Sequence, residues 1–353
     1  MIKSKIFKLF TTFVITLSAI LLPVFKSNVS AYTTSAGECV VETVSGRILS
    51  AKNECERLPM ASTTKIMTAH LVLKLLDVNA VVTVPRAATY AEGSSVYLKA
   101  GEKYTVLDLL YGLMLRSGND AAETLAVACA GSNEAFAAKM TEEAILLGAE
   151  NTRFINPHGL PAEGHYTTAK DLARITSAAM NDETFRKIVS TKSYVATELV
   201  SGRKIEWKNK NKLLFRFEGA NGVKTGFTHE AGRCLVSSAE RNGMQFVCVV
   251  LASPQMFERS EELLCESFRR FRMVKIVDRE RFLYRVPVRG TESFIGLTVE
   301  ESFSYPVSEE EKIRAAVELP DVFERKPGKG QKAGEIKIFL SKQLIFSQNI
   351  YTL

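Results

Sequence analysis

Hydrophobic and polar positions change rhythm several times along the chain. Cys39 to Thr43 and Arg47 to Ala51 read as two strands joined across Ser45-Gly46, a turn dipeptide. Pro59 precedes Ser62, and from Ile66 through Met67, Ala69, Leu73 and Leu76 the apolar positions take a helical spacing, which puts Ser62 at or near a helix N-terminus. From Val106 to Ala149 the composition is rich in Leu, Ala, Met and Glu, broken at Ser117-Gly118-Asn119 and Gly131-Ser132-Asn133, so several short helices are expected. Thr168 to Met180 predicts another helix.

The period then becomes strand-like. Gly222 to Thr228, Cys234 to Ala239 and Met244 to Leu251 predict strands, the last two turning at Asn242-Gly243, before a helix over Glu258 to Phe271. Beyond about residue 273 the texture is β-rich, with strands expected at Phe282 to Val288, Ser293 to Val299 and Lys312 to Leu319. A basic turn follows at Lys326-Pro327-Gly328-Lys329-Gly330. Ile336, Ile338 and Leu340 alternate before Ser341-Lys342, which favours a terminal hairpin; helical spacing from Phe339 to Tyr351 is the alternative, and membrane anchoring stays open. No internal repeat is evident.

The 353 residues are 46% hydrophobic and 24% charged, ordinary globular composition that argues against disorder or a fibrous repeat. A net charge of +7 invites a nucleic-acid reading, but Lys3, Lys5, Lys8 and Lys26 lie in the first 31 residues without an acid, and removing them leaves +3. That segment carries lysines, then an apolar run from Phe10 to Val24, then Val29-Ser30-Ala31, the pattern of a secretory signal cut after Ala31. An uncleaved anchor is the alternative, disfavoured because the run is short for a span of about 20 residues. The expected organisation is therefore a signal over 1–31, a catalytic domain over 32–272 and a β-domain over 273–353, working outside the cytoplasm.

Export would make the six cysteines disulfide candidates, yet no C-x-x-C occurs and mostly buried free thiols are expected. If Asn242-Gly243 is a two-residue turn, residue 248 opposes residue 237 and Cys234 faces the other side of the sheet from Cys248, which disfavours a bridge between them. The four histidines lack zinc-ligand spacing, so metal-dependent hydrolysis has little support.

Three short strings carry chemistry: Ser62-Thr63-Thr64-Lys65, Ser117-Gly118-Asn119 and Lys224-Thr225-Gly226. Taken singly they read as a helix cap, a turn and an ordinary strand. S-x-x-K on a helix places an amine one turn from a hydroxyl, where a lysine kept neutral by burial and neighbouring cations can take the serine proton. The backbone N–H of Ser62 near a helix start can stabilise an oxyanion, with Phe227 N–H as the second donor. In this order the strings resemble the penicillin-binding protein and serine β-lactamase superfamily. Longer stretches, including Glu92-Gly93-Ser94-Ser95, Ser117-Gly118-Asn119-Asp120-Ala121-Ala122, Asn156-Pro157-His158-Gly159-Leu160 and Gly222 to Thr228, are similar to low-molecular-weight D-alanyl-D-alanine carboxypeptidases over residues 36 to 272.

That resemblance implies an α/β (α+β) domain, an antiparallel sheet flanked by helices with a helical lobe, followed by a small all-β domain. It implies Ser62 as the acylated nucleophile, Lys65 as its base and Ser117 as proton relay to the departing D-alanine. Asn119 would bind substrate or order Lys65, Lys224 would add positive potential, and Thr225, Gly226 and Phe227 would hold the substrate. No cofactor, metal or nucleic acid is implied. The partners implied are the peptidoglycan stem peptide and β-lactams as covalent inhibitors, with peripheral membrane association left open. Arg259 and Arg233 are alternatives for an arginine near the substrate carboxylate, and His158 reads as support for its loop. The rival readings are a serine β-lactamase, disfavoured because no E-x-x-L-N string lies between Asn119 and Lys224, a transpeptidase or endopeptidase on the same residues, and a non-catalytic wall-binding module.

Overall fold

The computed structural model describes residues 35–282 and 284–353. The proposed signal segment lies outside the described residues. Strands β1 (Gly37–Glu42) and β2 (Ile48–Lys52) form the expected first hairpin. They join a five-stranded antiparallel sheet completed from the far end of the chain by β3 (Ala220–Thr228), β4 (Gly232–Arg241) and β5 (Met244–Leu251), in the order β2-β1-β5-β4-β3. β3 is an edge strand, so half of its backbone groups face away from the sheet and are free to pair with a ligand.

The inner strands are buried on both faces, which explains why they read as continuous apolar runs. On one face Cys39, Val41, Cys234, Val236, Val247 and Val249 pack with the helical part of the molecule; on the other Val40, Leu235, Phe246, Cys248 and Val250 pack against Leu263 and Leu264. The β4–β5 turn puts Asn242 at φ 51° and Gly243 at φ 73°, the left-handed pair that matches strand twist, and opposes Ser237 to Cys248 as the turn requires. Cys234 and Cys248 therefore lie on opposite faces, and all six cysteines are free thiols.

Helix α1 (Lys65–Leu75) runs beneath the sheet and is preceded by a single 3-10 turn at Ala61–Thr64. A helical lobe follows: α2 (Val106–Tyr111), a π-turn at Gly112–Arg116, α3 (Asn119–Ala130) and α4 (Asn133–Leu146). The breaks fall where the turn dipeptides lie, with Ser132 accepting from Ala135 N–H as the cap of α4. Helix α5 (Ala169–Ala179), capped by Thr168, covers one face of the sheet, and α6 (Met256–Arg270) covers the other.

At Arg270 the chain leaves α6 directly into a strand, Phe271–Val277, paired with Phe303–Ser308. A second, five-stranded antiparallel sheet holds Tyr284–Pro287, Phe294–Val299, Ile313–Glu318, Lys332–Leu340 and Gln343–Thr352. Val277, Leu297, Val299, Ile338 and Ile350 form its core, and Phe303 stacks on Phe346 with ring centroids 4.1 Å apart. Helical spacing from Phe339 to Tyr351 is overturned: the alternation of Ile336 and Ile338 prevails, and the segment is a hairpin closing Leu340 on Gln343. No helix among the described residues is long and apolar enough to cross a membrane. Arg47, at the β1–β2 turn, ties this all-β part to the first sheet. Its guanidinium lies between the Phe271 and Tyr305 rings and bonds Glu311 and the Pro306 carbonyl.

Candidate active site

Ser62 sits in the 3-10 turn, one turn ahead of Lys65. Around it opens a cleft of about 380 Å³, lined on its other sides by Ser94, Ser117, Lys210, Thr225, Gly226 and Arg233. Phe227, Met256 and Phe257 complete an apolar wall. Gly226 is required by proximity. A Cβ there would lie 3.1 Å from both Ser62 N and Thr63 N, so a side chain would press the edge strand away from the serine turn. This contact sets the edge strand at Gly226 directly against the serine turn.

Lys65 is fully buried, and its Nζ meets three oxygens: Asn119 Oδ1 at 2.7 Å, the His158 carbonyl at 2.7 Å and Ser62 Oγ at 3.1 Å. Burial above all, then the charges of Lys224 and Lys210, hold its pKa well below the ordinary lysine range, while Asp120 opposes them. A neutral amine has two N–H groups and one lone pair. The amide and backbone carbonyl oxygens can only accept, so they take both N–H groups, and the lone pair is left facing the Ser62 hydroxyl.

Ser117 is held in the left-handed region at φ 67° between the π-turn and α3, and its Oγ is buried without a hydrogen-bond partner. A non-glycine residue held in the left-handed region with an unpaired hydroxyl at a cleft suits a group kept for a ligand. Asn119 is committed elsewhere: Oδ1 accepts from Lys65, and Nδ2 donates to the Glu92 carbonyl. The Oδ1 contact places Asn119 against Lys65, one of the two partners expected for it. Lys224 is buried beneath the cleft and donates to the Thr225 carbonyl at 2.9 Å, with its pKa pushed by burial and by Lys210 down to about 7.

A family model described as D-alanyl-D-alanine carboxypeptidase matches residues 26–255, and one described as penicillin-binding protein 5, C-terminal domain, matches residues 271–353. The chain belongs to the D-alanyl-D-alanine carboxypeptidase family. It is 33% identical over 309 residues to the D-alanyl-D-alanine carboxypeptidase DacF of Bacillus subtilis, covering 84% of this chain and 79% of that one. Among solved structures it resembles penicillin binding protein 5 from Haemophilus influenzae, with a TM-score of 0.76, 28% identity, and 92% and 98% of the two chains covered. A Streptomyces K15 DD-transpeptidase superposes with a TM-score of 0.64 and 36% identity, over 68% of this chain and all of that one. The chain is thus a serine-type peptidase of the penicillin-binding class, and the antiparallel core with its all-β tail is the fold of these carboxypeptidases.

In this carboxypeptidase some site residues escaped the sequence. His158 supports its loop through its ring, which lies 3.5 Å from Glu123 and accepts from Leu160 N–H, but its backbone carbonyl is what fixes Lys65. A carbonyl has no residue type, so only the Asn156-to-Leu160 string could have pointed there. Lys210 and Arg233 both reach the cleft, whereas Arg259 is spent on a buried pair with Glu38 at 2.8 Å. Gly159 locks the loop in place. At φ 91° a Cβ would fall 1.9 Å from the Ala61 carbonyl oxygen, beside the nucleophile turn. Gly159→Ala is expected to destabilise the protein by about 3 kcal/mol in urea unfolding and to slow labelling by fluorescent penicillin. An unchanged midpoint and rate would show that the loop yields freely.

Proposed function

We propose that the chain removes the terminal D-alanine from peptidoglycan stem peptides through an acyl-enzyme on Ser62, and that β-lactams acylate the same oxygen. The observation that carries this is the buried Lys65 amine, 3.1 Å from Ser62 Oγ and held on its other sides by two carbonyl oxygens at 2.7 Å. In acylation, Lys65 takes the hydroxyl proton as Ser62 Oγ attacks the carbonyl of the penultimate residue. The oxyanion lies between the backbone N–H groups of Ser62 and Phe227. Ser117 Oγ passes the proton from Lys65 to the departing amine, and free D-alanine leaves. Water then attacks the ester, giving its proton to Lys65, and Ser62 recovers its own as the shortened peptide is released.

The terminal carboxylate is held by the Thr225 hydroxyl in the field of Lys210, Lys224 and Arg233. No acid is among the residues lining the cleft, which suits an anionic substrate end and supplies no carboxylate to speed deacylation. The lysine-rich, apolar start of the chain supports export, so the reaction would take place on the wall side of the membrane.

The test is incubation of the purified protein with diacetyl-L-lysyl-D-alanyl-D-alanine and with benzylpenicillin. One equivalent of D-alanine per peptide and a long-lived penicilloyl adduct are expected. Rapid drug turnover without D-alanine release would make the enzyme a β-lactamase, and neither product would leave a wall-binding module.

A further inference from the structure

We infer that Asp120 is a positioning residue: its buried carboxylate clamps the 93–98 loop onto the Ser117–Asn119 turn and so aims Lys65 at Ser62. The inference rests on the reading of Ser62, Lys65 and Ser117 given above. Asp120 is 2% exposed. It accepts from Ser95 Oγ at 2.6 Å and from the backbone N–H groups of Val96 and Leu98, each at 3.1 Å; Ala121 N–H adds a bond at 2.9 Å. The carboxylate is the shared acceptor for one wall of the cleft.

The loop it holds returns the connection. The Ser94 carbonyl accepts from Asn119 N–H at 2.7 Å, and the Glu92 carbonyl accepts from Asn119 Nδ2. Asn119 is thereby fixed at both its backbone and its amide, with Oδ1 left to Lys65. There is no slack in this assembly. A Cβ on Gly118 would meet Asp120 Oδ1 at 2.7 Å and both Val96 methyls at 3.1 Å. Without the carboxylate the buried N–H groups of Val96 and Leu98 lose their acceptor, the loop lifts, and the Asn119 amide is free to turn. Lys65 then keeps its burial but loses the acceptor that orients its lone pair.

The test compares Asp120→Ala, Asp120→Asn and Glu143→Gln for D-alanine release, corrected for the folded fraction. Glu143 is a comparably buried acid that pairs with His70 and Lys74. Asp120→Ala should lose about 100-fold in kcat with KM within about threefold, as expected when reacting groups are displaced by about 1 Å. Asp120→Asn keeps one acceptor oxygen and should lose about tenfold. Glu143→Gln should melt at lower temperature with kcat unchanged. A wild-type kcat in Asp120→Ala, or an equal loss in Glu143→Gln, would overturn the assignment. Should Asp120→Ala not fold, Ser95→Ala decides: a fall of about threefold or more supports the clamp, and an unchanged kcat overturns it. Failure of the underlying site would appear separately, as full activity in Ser117→Ala.

Discussion

Ser62→Ala abolishes both D-alanine release and covalent penicillin labelling, with kcat/KM for the peptide reduced on the order of 10⁴-fold or more. Ser62 is half-buried, and its hydroxyl bonds only the Lys65 amine among the described contacts, so removing one oxygen leaves the turn and α1 standing. Unfolding should stay cooperative and shift by about 1 kcal/mol or less. Mass spectrometry gives the sharpest reading: wild type gains the mass of one drug molecule and the variant gains none. Labelling of the variant at full rate would move the nucleophile elsewhere, and Ser117 would be the place to look.

Lys65→Arg has the second largest effect. A guanidinium stays protonated at any accessible pH, so it can hold Asn119 and the His158 carbonyl but cannot receive the Ser62 proton. Acylation should slow by about 10³-fold while penicillin still competes for the cleft. The wild-type pH profile carries the same argument with a definite sign. Burial, Lys224 and Lys210 lower the pKa of Lys65, so its neutral, basic form predominates at a lower pH than for a free lysine. The kcat/KM for the peptide therefore rises with pH along a limb that lies well below 10.5, and that limb vanishes in Lys65→Arg. A limb at the ordinary lysine position would mean that the amine is not buried when it works.

Much of this was legible in the sequence because short-range rules decide it. Asn242-Gly243 fixes a two-residue turn, and the register follows by counting, down to the separation of Cys234 from Cys248. The alternation around Ser341-Lys342 likewise yields the last hairpin. Short ribbons were not read, such as Val81–Thr83 with Lys103–Thr105 and Ser193–Thr197 with Lys204–Lys208, since three to five residues give too little periodicity. The site divides in the same way. Ser62 and Lys65 are a helical turn apart, so their meeting is a local fact. The His158 carbonyl reaches Lys65 across 93 positions, and Asp120 reaches Ser95 across 25. Both depend on loop packing, which spacing does not encode. Lys210 carries no motif in the sequence, and only its place on the lining of the cleft sets it apart from the other lysines.

The sheet has a consequence for how the enzyme comes into being. β1 pairs with β2 but finds its other neighbour, β5, some two hundred residues later, with the whole helical lobe strung between. Until that late strand emerges, β1 lacks its second partner and the cleft lacks its wall, so a partly delivered chain is inert as well as sticky. Assembly waits for the last strand of this sheet, Met244–Leu251, and the reactive serine is switched on only when the two ends of the sheet-bearing part meet.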